Sequence, residues 1–444
     1  ERAVSAQLID QEYLEAAALS PVPSRQLPLP KFATHLTWRV HYSERMSPAT
    51  SLDKNLQIQL EQLALGLALT PNTNIAMLVV DAKNGEVMGY IGSQRYTDQD
   101  RHGAFDYVRG IRSPGSTLKP FIYALAETEL LTHPLTLIQD DPTNFAGYRP
   151  QNIDRRLHGE LTLEKALQLS LNIPAVKVLK RLKPEHFKAK MNQAGIPLRH
   201  GEGLPIALGG AGLTLEELVS LYSALANQGV IKPVRYGIGA GSRSATTIFS
   251  PEAIAHTNWA LSNITAGSDR MHGSINQKPI AYKTGTGPGG ADALAVGTNG
   301  HYVVGIWIGT PTGEYLAGNS GLRVAAPILH QVFDLLPPGR FYAAKPKQAP
   351  ESLQYFRTAT SRSRFPIQIL FPLNGSTITK RAGNPRIPLR IKGVTYPIVV
   401  SVNNRTMQIL KNNAAHLTLT QSGSYTINVV DTKGFSAKAS FVIN

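Results

Sequence analysis

The sequence predicts an α+β protein in which a helical middle segment separates two strand-rich segments, followed by a small all-β domain. Two β-rich runs at 75–81 and 86–91 surround an Asn-Gly pair, which is a strong hairpin signal. Apolar residues recur at helical spacing through 131–230, and strand patterns return at 280–308. We therefore expect helices packed on a largely antiparallel sheet, with one helical lobe beside it.

Length and composition set the outer limits. At 444 residues, two or three domains are expected, and the absence of cysteine excludes disulfides, thiolate metal sites and a cysteine nucleophile. No apolar run reaches the roughly 18 residues typical of a membrane span, and no signal peptide opens the chain. Because Glu1 is not a natural start, we expect a processed or excised fragment that has lost an amino-terminal membrane anchor.

The first domain boundary is predicted near residue 48. Residues 1–20 have the pattern of a short helix capped by Asp10, the remnant of a preceding domain. Prolines break any regular structure in 21–48, which is interpreted as a linker or an extended arm. The main domain is expected to span 49–337.

Three helical patterns stand out inside the main domain. One begins at Asp53 and is closed by Pro71, and a second places the apolar residues from Leu161 to Leu171 on one face. A third includes the apolar residues between Leu215 and Leu225 and ends in an Asn-Gln-Gly capping signal.

The end of the chain has a different character. Residues 338–364 are proline-rich and are predicted to be a linker, and 365–444 are predicted to form a small β-sandwich of immunoglobulin type. Its predicted strands are Ile367 to Phe371, Ile387 to Ile391, Pro397 to Val402, His416 to Leu419, Ser424 to Val430 and Ala437 to Ile443.

The positive charge is concentrated in this last part of the chain. Residues 340–444 hold fifteen basic and two acidic side chains, a net charge of +13 out of +15 for the whole chain. Such a balance favours an anionic partner such as a membrane surface, a cell-wall polymer or nucleic acid. Scattered Lys and Arg that simply solvate a small β domain are the equally weighted alternative, because no long run of like charge occurs.

The chemistry is predicted to centre on Ser116 and Lys119, at the start of an apolar-periodic run. If a helix begins near Ser116, the two side chains lie one turn apart on the same side of it. A serine needs a neighbouring base to act as a nucleophile, and a lysine serves when burial or another cation disfavours its charged form. Pro120 lies close enough to the helix start to be tolerated.

Two further motifs follow in order along the chain. Ser170-Leu171-Asn172 comes at the end of a helical pattern, and Lys283-Thr284-Gly285-Thr286 lies on an apolar strand. Ser-x-x-Lys, Ser-x-Asn and Lys-Thr-Gly together resemble the signature of penicillin-binding proteins and serine β-lactamases, although Leu171 replaces the usual aspartate. Taken singly, the second motif could be a helix cap and the third an ordinary strand end.

Each motif has a separable physical role. Ser170 and Asn172 can pass protons to a leaving group and hold a substrate peptide bond, and Lys283 disfavours protonation of Lys119. In the third motif, the charge of Lys283 and the hydroxyls of Thr284 and Thr286 suit a substrate carboxylate. Gly285 lets a substrate backbone lie close against the strand.

The resemblance extends beyond the motifs, over about residues 45 to 444, to the transpeptidase domain and carboxy-terminal domain of class A penicillin-binding proteins of the 1C type. It implies an oxyanion hole formed by the backbone amides of Ser116 and Thr286. The first twenty residues resemble the end of a glycosyltransferase domain without its catalytic motifs. Small residues at 287–291 replace aromatic or polar ones, which predicts an open or mobile acceptor side of the cleft.

The predicted activity is that of a peptidoglycan D,D-transpeptidase acting on D-Ala-D-Ala stem peptides and acylated by β-lactams at Ser116. The alternatives are a D,D-carboxypeptidase or serine β-lactamase, and a β-lactam or cell-wall sensor that acylates once. Neither a metal nor a cofactor is expected, because no metal-binding or nucleotide-binding motif occurs. The expected location is the periplasm, attached to the inner membrane, with the basic domain contacting the wall or an envelope protein and without a nucleic-acid partner.

Overall fold

The computed structural model describes Asp10, Glu15 and residues 32–43, 49–237, 244–263, 279–356, 367–379, 386–403, 405–410, 415–419, 421–432 and 436–444. The chain separates into two compact units, Glu1–Phe32 and Ala33–Asn444. The helix predicted over 1–20 lies outside the described residues apart from Asp10 and Glu15. Everything below concerns the second unit.

The main domain is built on a five-stranded, wholly antiparallel sheet with strand order β2-β1-β9-β8-β7. Its strands are β1 (Asn74–Asp81), β2 (Val87–Ile91), β7 (Ala281–Thr286), β8 (Asp292–Thr298) and β9 (Tyr302–Gly309). The predicted hairpin is confirmed, since β1 and β2 pair around a turn in which Gly85 has a positive φ. The predicted antiparallel sheet is also confirmed.

Helices cover both faces of this sheet. They are α1 (Thr34–Ser43), α2 (Lys54–Gly66), α3 (Lys119–Thr128), α4 (Leu163–Gln168), α5 (Asn172–Leu182), α6 (Pro184–Gln193), α7 (Leu215–Ala226), α8 (Pro251–Ser262) and α9 (Ala326–Leu335). Two short strand pairs, β3 (Leu137–Asp140) with β4 (Gly159–Thr162) and β5 (Val230–Ile231) with β6 (Thr246–Thr247), lie among them.

Alternate residues of β1 enter two different cores, as strand geometry requires. Leu78 belongs to the core that includes Phe121 of α3 and Val176 of α5. Its neighbour Met77 belongs to the core that includes Leu60 of α2 and Leu329 of α9. The sheet is therefore buried on both sides, and the larger core joins it to the predicted helical lobe.

Two predicted segments differ from the structure. The arm at 21–48 was predicted without regular structure, but Thr34–Ser43 are helical, because Leu36 and Val40 lie four residues apart and both enter the larger core. The second predicted helical face is also shorter than expected. Leu161 lies on β4, where it pairs with Ile138 of β3, and Leu171 follows the end of α4. The third predicted helix is confirmed as α7, with Asn227 as its C-cap.

The predicted linker is fastened to the main domain in its described part, 338–356. It has no strand and only a 3₁₀ turn at Glu351–Leu353. Ala344 N nevertheless donates to Ala255 O of α8. On β3, Leu137 N donates to Gln354 O, and Leu137 O accepts from Phe356 N. This segment is thus an irregular extension of the domain surface.

The last domain is a β-sandwich of two sheets, with strand orders β10-β12-β15 and β11-β17-β16-β13-β14. The strands are β10 (Gln368–Phe371), β11 (Thr377–Ile378), β12 (Arg386–Lys392), β13 (Ile398–Val402), β14 (Arg405–Leu410), β15 (Ala415–Thr418), β16 (Gly423–Asp431) and β17 (Ser436–Ile443). Side chains from both sheets form one core, including Leu389 and Val400. All six predicted strands are present; β11 and β14 were missed, and the immunoglobulin type stays a prediction.

Candidate active site

Ser116 lies on a 3₁₀ turn, Gly115–Leu118, that leads directly into α3 at Lys119. The helix starts three residues later than the sequence predicted, but the 3₁₀ turn keeps Ser116 and Lys119 one turn apart. Pro120 is accommodated near the helix start, as predicted. Ser116 is buried except for 8% of its surface, and Lys119 is completely buried.

The turn that carries Ser116 is pressed against strand β7. Gly115 has a φ of +53°, and a Cβ at this position would lie 2.6 Å from Thr286 N. A Cβ on Gly285 would in turn meet Pro114 O and, at 2.8 Å, Thr117 Cγ2. Both glycines thus allow the nucleophile turn to touch the strand, which places Ser116 next to the third motif. The sequence assigned the space at Gly285 to a substrate, whereas the protein itself fills it.

The second motif lies at a sharp turn between α4 and α5. Ser170 has a φ of +56°, Leu171 is the buried N-cap residue of α5, and Asn172 is the first residue of that helix. Lys119 Nζ donates to Ser170 O at 2.6 Å and to Asn172 Oδ1 at 2.6 Å. Lys119 therefore connects α3 to the helical lobe, and Ser170 contributes its backbone carbonyl to this contact.

Lys283, in the third motif, forms the third side of the site around Ser116. It is buried except for 4% of its surface, and its Nζ donates to Thr284 O at 2.9 Å. Thr286 Oγ1 accepts a hydrogen bond of 3.1 Å from Gly321 N, so its own proton is free to be donated elsewhere. The structure thus brings all three motifs together around Ser116.

Burial sets the charge of the two lysines. Burial, and secondly the nearby Lys283, holds the pKa of Lys119 well below its usual range. Burial also lowers the pKa of Lys283 to about 7. Because burial disfavours the charged form of Lys119, this amine is suited to accept a proton from a nearby hydroxyl, as a general base does.

Several residues that hold these groups in place carried no sequence signal. Asn152 Oδ1 accepts from Asn172 N at 2.8 Å, and Asn172 Nδ2 donates to Gln151 O at 2.6 Å. Tyr222 OH donates to Thr117 O at 2.8 Å, inside the turn that carries Ser116. These contacts join segments far apart in the chain, which no motif spacing reveals.

Among the residues that the structure describes, no group of three or more His, Asp or Glu side chains could hold a metal ion. In the same set of residues, no helix has both the length and the apolar character needed to cross a membrane. The site chemistry described above uses hydroxyl, amine and amide groups only.

Comparison with known families agrees with this geometry. A family model described as the penicillin binding protein transpeptidase domain matches residues 75–333, more than half of the chain. The chain belongs to the penicillin-binding protein transpeptidase family. A second model, described as the Penicillin-Binding Protein C-terminus Family, matches residues 357–441, in the region of the β-sandwich.

Among curated proteins, the chain is 40% identical over 296 residues to penicillin-binding protein 1C of Escherichia coli, covering 65% of this chain and 38% of that protein. It is 28% identical to penicillin-binding protein 1A of Neisseria flavescens, over 63% of this chain and 37% of that protein. The resemblance to the 1C type is confirmed. The chain spans less than half the length of these two relatives.

Solved structures share the fold. The PonA1 protein from Mycobacterium tuberculosis in complex with penicillin V aligns with a TM-score of 0.59 at 20% identity, over 78% of this chain and 96% of that one. Penicillin-binding protein 1A from Haemophilus influenzae aligns with a TM-score of 0.62 at 16% identity, over 78% of this chain and 76% of that one. The predicted α+β transpeptidase fold is confirmed.

Proposed function

We propose that this chain is a serine D,D-transpeptidase that cross-links peptidoglycan stem peptides, with Ser116 as nucleophile and Lys119 as general base. The observation that supports it best is the completely buried Lys119, held by Ser170 O and Asn172 Oδ1 one turn from Ser116. In the acylation step, Ser116 Oγ attacks the carbonyl carbon of the D-Ala-D-Ala bond and its proton passes to Lys119 Nζ. The C–N bond breaks, and D-Ala leaves after its amine accepts a proton.

The remaining motif residues act on charge and position. Lys283, Thr284 and Thr286 bind the terminal carboxylate, and Asn172 holds the substrate peptide bond. The backbone amides of Ser116 and Thr286 stabilise the oxyanion, a contribution worth roughly a hundredfold to a thousandfold in rate for a single donor. Ser170 relays the proton to the leaving amine, since its backbone adjoins Lys119.

In the second step, an amine of a neighbouring stem attacks the acyl carbon and loses a proton to Lys119. The bond between the acyl carbon and Ser116 Oγ breaks, and Lys119 returns the proton to that oxygen. β-Lactams acylate Ser116 in the same way, because their strained amide presents the same carbonyl. This activity implies a site of action in the periplasm, with an inner-membrane attachment in the intact protein. The β-sandwich is proposed to contact the cell wall or an envelope protein.

A labelled penicillin tests the assignment. We expect one covalent adduct per chain, found by mass spectrometry on the peptide that contains Ser116. Ser116→Ala should abolish the adduct, while Ser424→Ala, which removes an exposed hydroxyl on the β-sandwich, should leave it intact. An absent adduct in the wild-type chain, or one that survives Ser116→Ala, contradicts the proposal.

The same assay followed over time separates the alternatives. Rapid loss of the penicillin adduct to water would favour a β-lactamase. A stem-peptide thioester that is hydrolysed but never transferred to an amine would favour a carboxypeptidase. A single stoichiometric burst on the thioester, without turnover, would favour a sensor.

A further inference from the structure

A cavity of about 300 Å³ opens beside Thr286, on the outer side of the third motif. One wall is Thr286 with the turn at Gly289-Gly290, and the other is the loop 315–320 with Arg323. None of the proposed catalytic groups except Thr286 lines this cavity. It is referred to below as the outer pocket.

The loop is fastened to the glycine turn. Leu316 N donates to Gly289 O at 3.0 Å, and Asn319 Nδ2 donates to Gly290 O at 2.6 Å. Gly289 has a φ of +65°, and a Cβ there would lie 3.1 Å from the ring of Tyr315. The small residues at 287–291 were predicted to leave this side of the cleft open or mobile. Instead they make room for a wall supplied by another part of the chain.

Arg323 is carried on a segment locked to strand β7. It belongs to a short π-helix, Gly321–Ala325, whose N-cap Ser320 accepts from Arg323 N through its carbonyl at 3.0 Å. The first residue of this helix, Gly321, donates to Thr286 Oγ1, and a Cβ on it would lie 3.0 Å from Gly285 N. The position of Arg323 is therefore tied to that of the third motif.

Arg323 also differs from the two active-site lysines in its charge. Burial lowers the pKa of Lys119 and of Lys283, whereas an arginine side chain is a permanent cation. Arg323 is exposed and forms no ion pair with any residue that the structure describes. It offers a bidentate site for a carboxylate in the outer pocket.

The chemistry of the transfer step indicates which substrate arrives there. The acceptor amine must attack the acyl carbon from the place that the leaving D-Ala amine vacated, because the two steps are microscopic reverses of each other. The carboxylate of that leaving group is proposed to lie on Lys283, Thr284 and Thr286. Thr286 also lines the outer pocket, so a carboxylate held at this threonine faces the same cavity as Arg323.

We infer that Arg323, with Thr286, binds a carboxylate of the acceptor, so that the chain selects amines that carry a carboxylate on the same carbon. Such an amine reproduces the nitrogen, the adjoining carbon and the carboxylate of the leaving D-Ala, so its carboxylate reaches the third motif as that of D-Ala does, and Arg323 adds a second cation on the Thr286 side. Tyr315, which is 76% exposed and packs over Gly289, forms the apolar side of the same entrance. This inference rests on the proposed transpeptidase function.

The test uses the full chain, a stem-peptide thioester as donor, and two acceptors of nearly the same size, D-alanine with a carboxylate and D-alaninamide with a neutral amide in its place. The ratio of aminolysis to hydrolysis is measured for each. In the wild-type chain we expect D-alanine to exceed D-alaninamide. Arg323→Gln should lower the ratio for D-alanine about fivefold, the effect of losing one partly exposed ion pair. It should leave D-alaninamide unchanged.

Two variants and one control complete the design. Arg323→Lys should restore part of the preference, and Arg323→Glu should reverse it, since charge decides the selection. Arg390→Gln, on the outer face of the β-sandwich, should change neither ratio. Ser116 should still form the penicillin adduct in all these variants, because neither Arg323 nor Arg390 is the proposed nucleophile or its base.

The outcomes separate the two proposals. Without a penicillin adduct on Ser116, the proposed function itself fails. If acylation is normal but Arg323→Gln leaves the preference between the two acceptors unchanged, the inference is overturned. A chain that acylates normally but transfers to no carboxylate-bearing amine also overturns it.

Discussion

Basic side chains occupy two contrasting environments in this chain, the active-site cleft and the outer face of the β-sandwich. Lys119 and Lys283 in the cleft are 0% and 4% exposed. On β12, by contrast, Arg390 and Lys392 are exposed and alternate with the buried Leu389 and Ile391. Burial changes the chemistry of the first pair, whereas water solvates the second pair as ordinary cations.

This contrast shows that net charge does not locate the lysines whose pKa is lowered by burial. The excess charge of +13 lies in residues 340–444, yet the two lysines with a strongly lowered pKa belong to the part of the chain that is nearly neutral. Burying an amine costs stability and favours its neutral, proton-accepting form, while a solvated amine keeps its charge without that cost.

The largest difference in the rate of penicillin acylation is expected when a lysine is replaced by methionine in the cleft and, separately, on the β-sandwich. Lys119→Met removes the proposed base and should lower the second-order rate constant of penicillin acylation by about 10² to 10⁴. Lys392→Met should leave that rate unchanged. Stopped-flow fluorescence with a labelled penicillin measures both, and thermal melting confirms that each variant is folded. A folded Lys119→Met variant that acylates at the wild-type rate contradicts the role assigned to Lys119.

The pH profile of acylation should report the charge of Lys283. Because burial lowers its pKa to about 7, the free chain loses this cation as the pH rises through about 7. The second-order rate constant for a penicillin carboxylate should therefore fall between about pH 6 and pH 8. A penicillin methyl ester, which lacks the carboxylate, serves as the control and should not show this falling limb. Identical profiles for the acid and the ester would exclude carboxylate binding by Lys283.

A smaller effect is expected on stability. The pKa of Lys283 is about 7 in the folded chain against 10.5 as its ordinary value, so folding is opposed more strongly as pH falls from about 10.5 to about 7. Lys283→Met should therefore increase the free energy of unfolding at pH 7 by an amount on the order of a few kcal/mol, which raises the melting temperature. The gap from the wild-type chain should narrow as the pH rises toward 10. Lys392→Met should show no such trend, and a Lys283→Met variant that melts below the wild-type chain at pH 7 would refute the expectation.

The sequence could predict those features that depend on local pattern. The alternation in 386–392 identifies β12, and the three motifs identify the walls of the cleft, because each is a short run of neighbouring residues. The lowered pKa of Lys119 was expected from the need for a base, but its partners in the second motif follow only from how α3 and the helical lobe pack. Local pattern supplies the groups, and tertiary packing supplies their geometry.

What the sequence could not predict depends on contacts between distant segments. The turn at 287–291 and the loop 315–320 lie about thirty residues apart in the chain. The reason for glycine at 289 and 290 is visible only in the structure, where Tyr315 and Asn319 contact this turn. Helix α1 was missed because its short apolar stripe follows a proline-rich segment and is stabilised by burial in the larger core rather than by helix propensity. Asn152 was missed because it belongs to no motif. Its Oδ1 accepts from Asn172 N, twenty residues further along the chain.

The smallest effect is expected from the charges of the β-sandwich. Arg386, Arg390 and Lys392 line the exposed face of β12, and each exposed charge contributes at most about 1 kcal/mol to a contact in water. Replacing all three by Gln should weaken co-sedimentation with purified peptidoglycan about tenfold at low salt and have little effect at high salt, where screening removes the attraction. Penicillin acylation and the melting temperature should not change, because none of the three lies near the cleft or the sandwich core. Unchanged sedimentation at low salt would mean that these three cations only solvate the domain and do not contact the wall polymer.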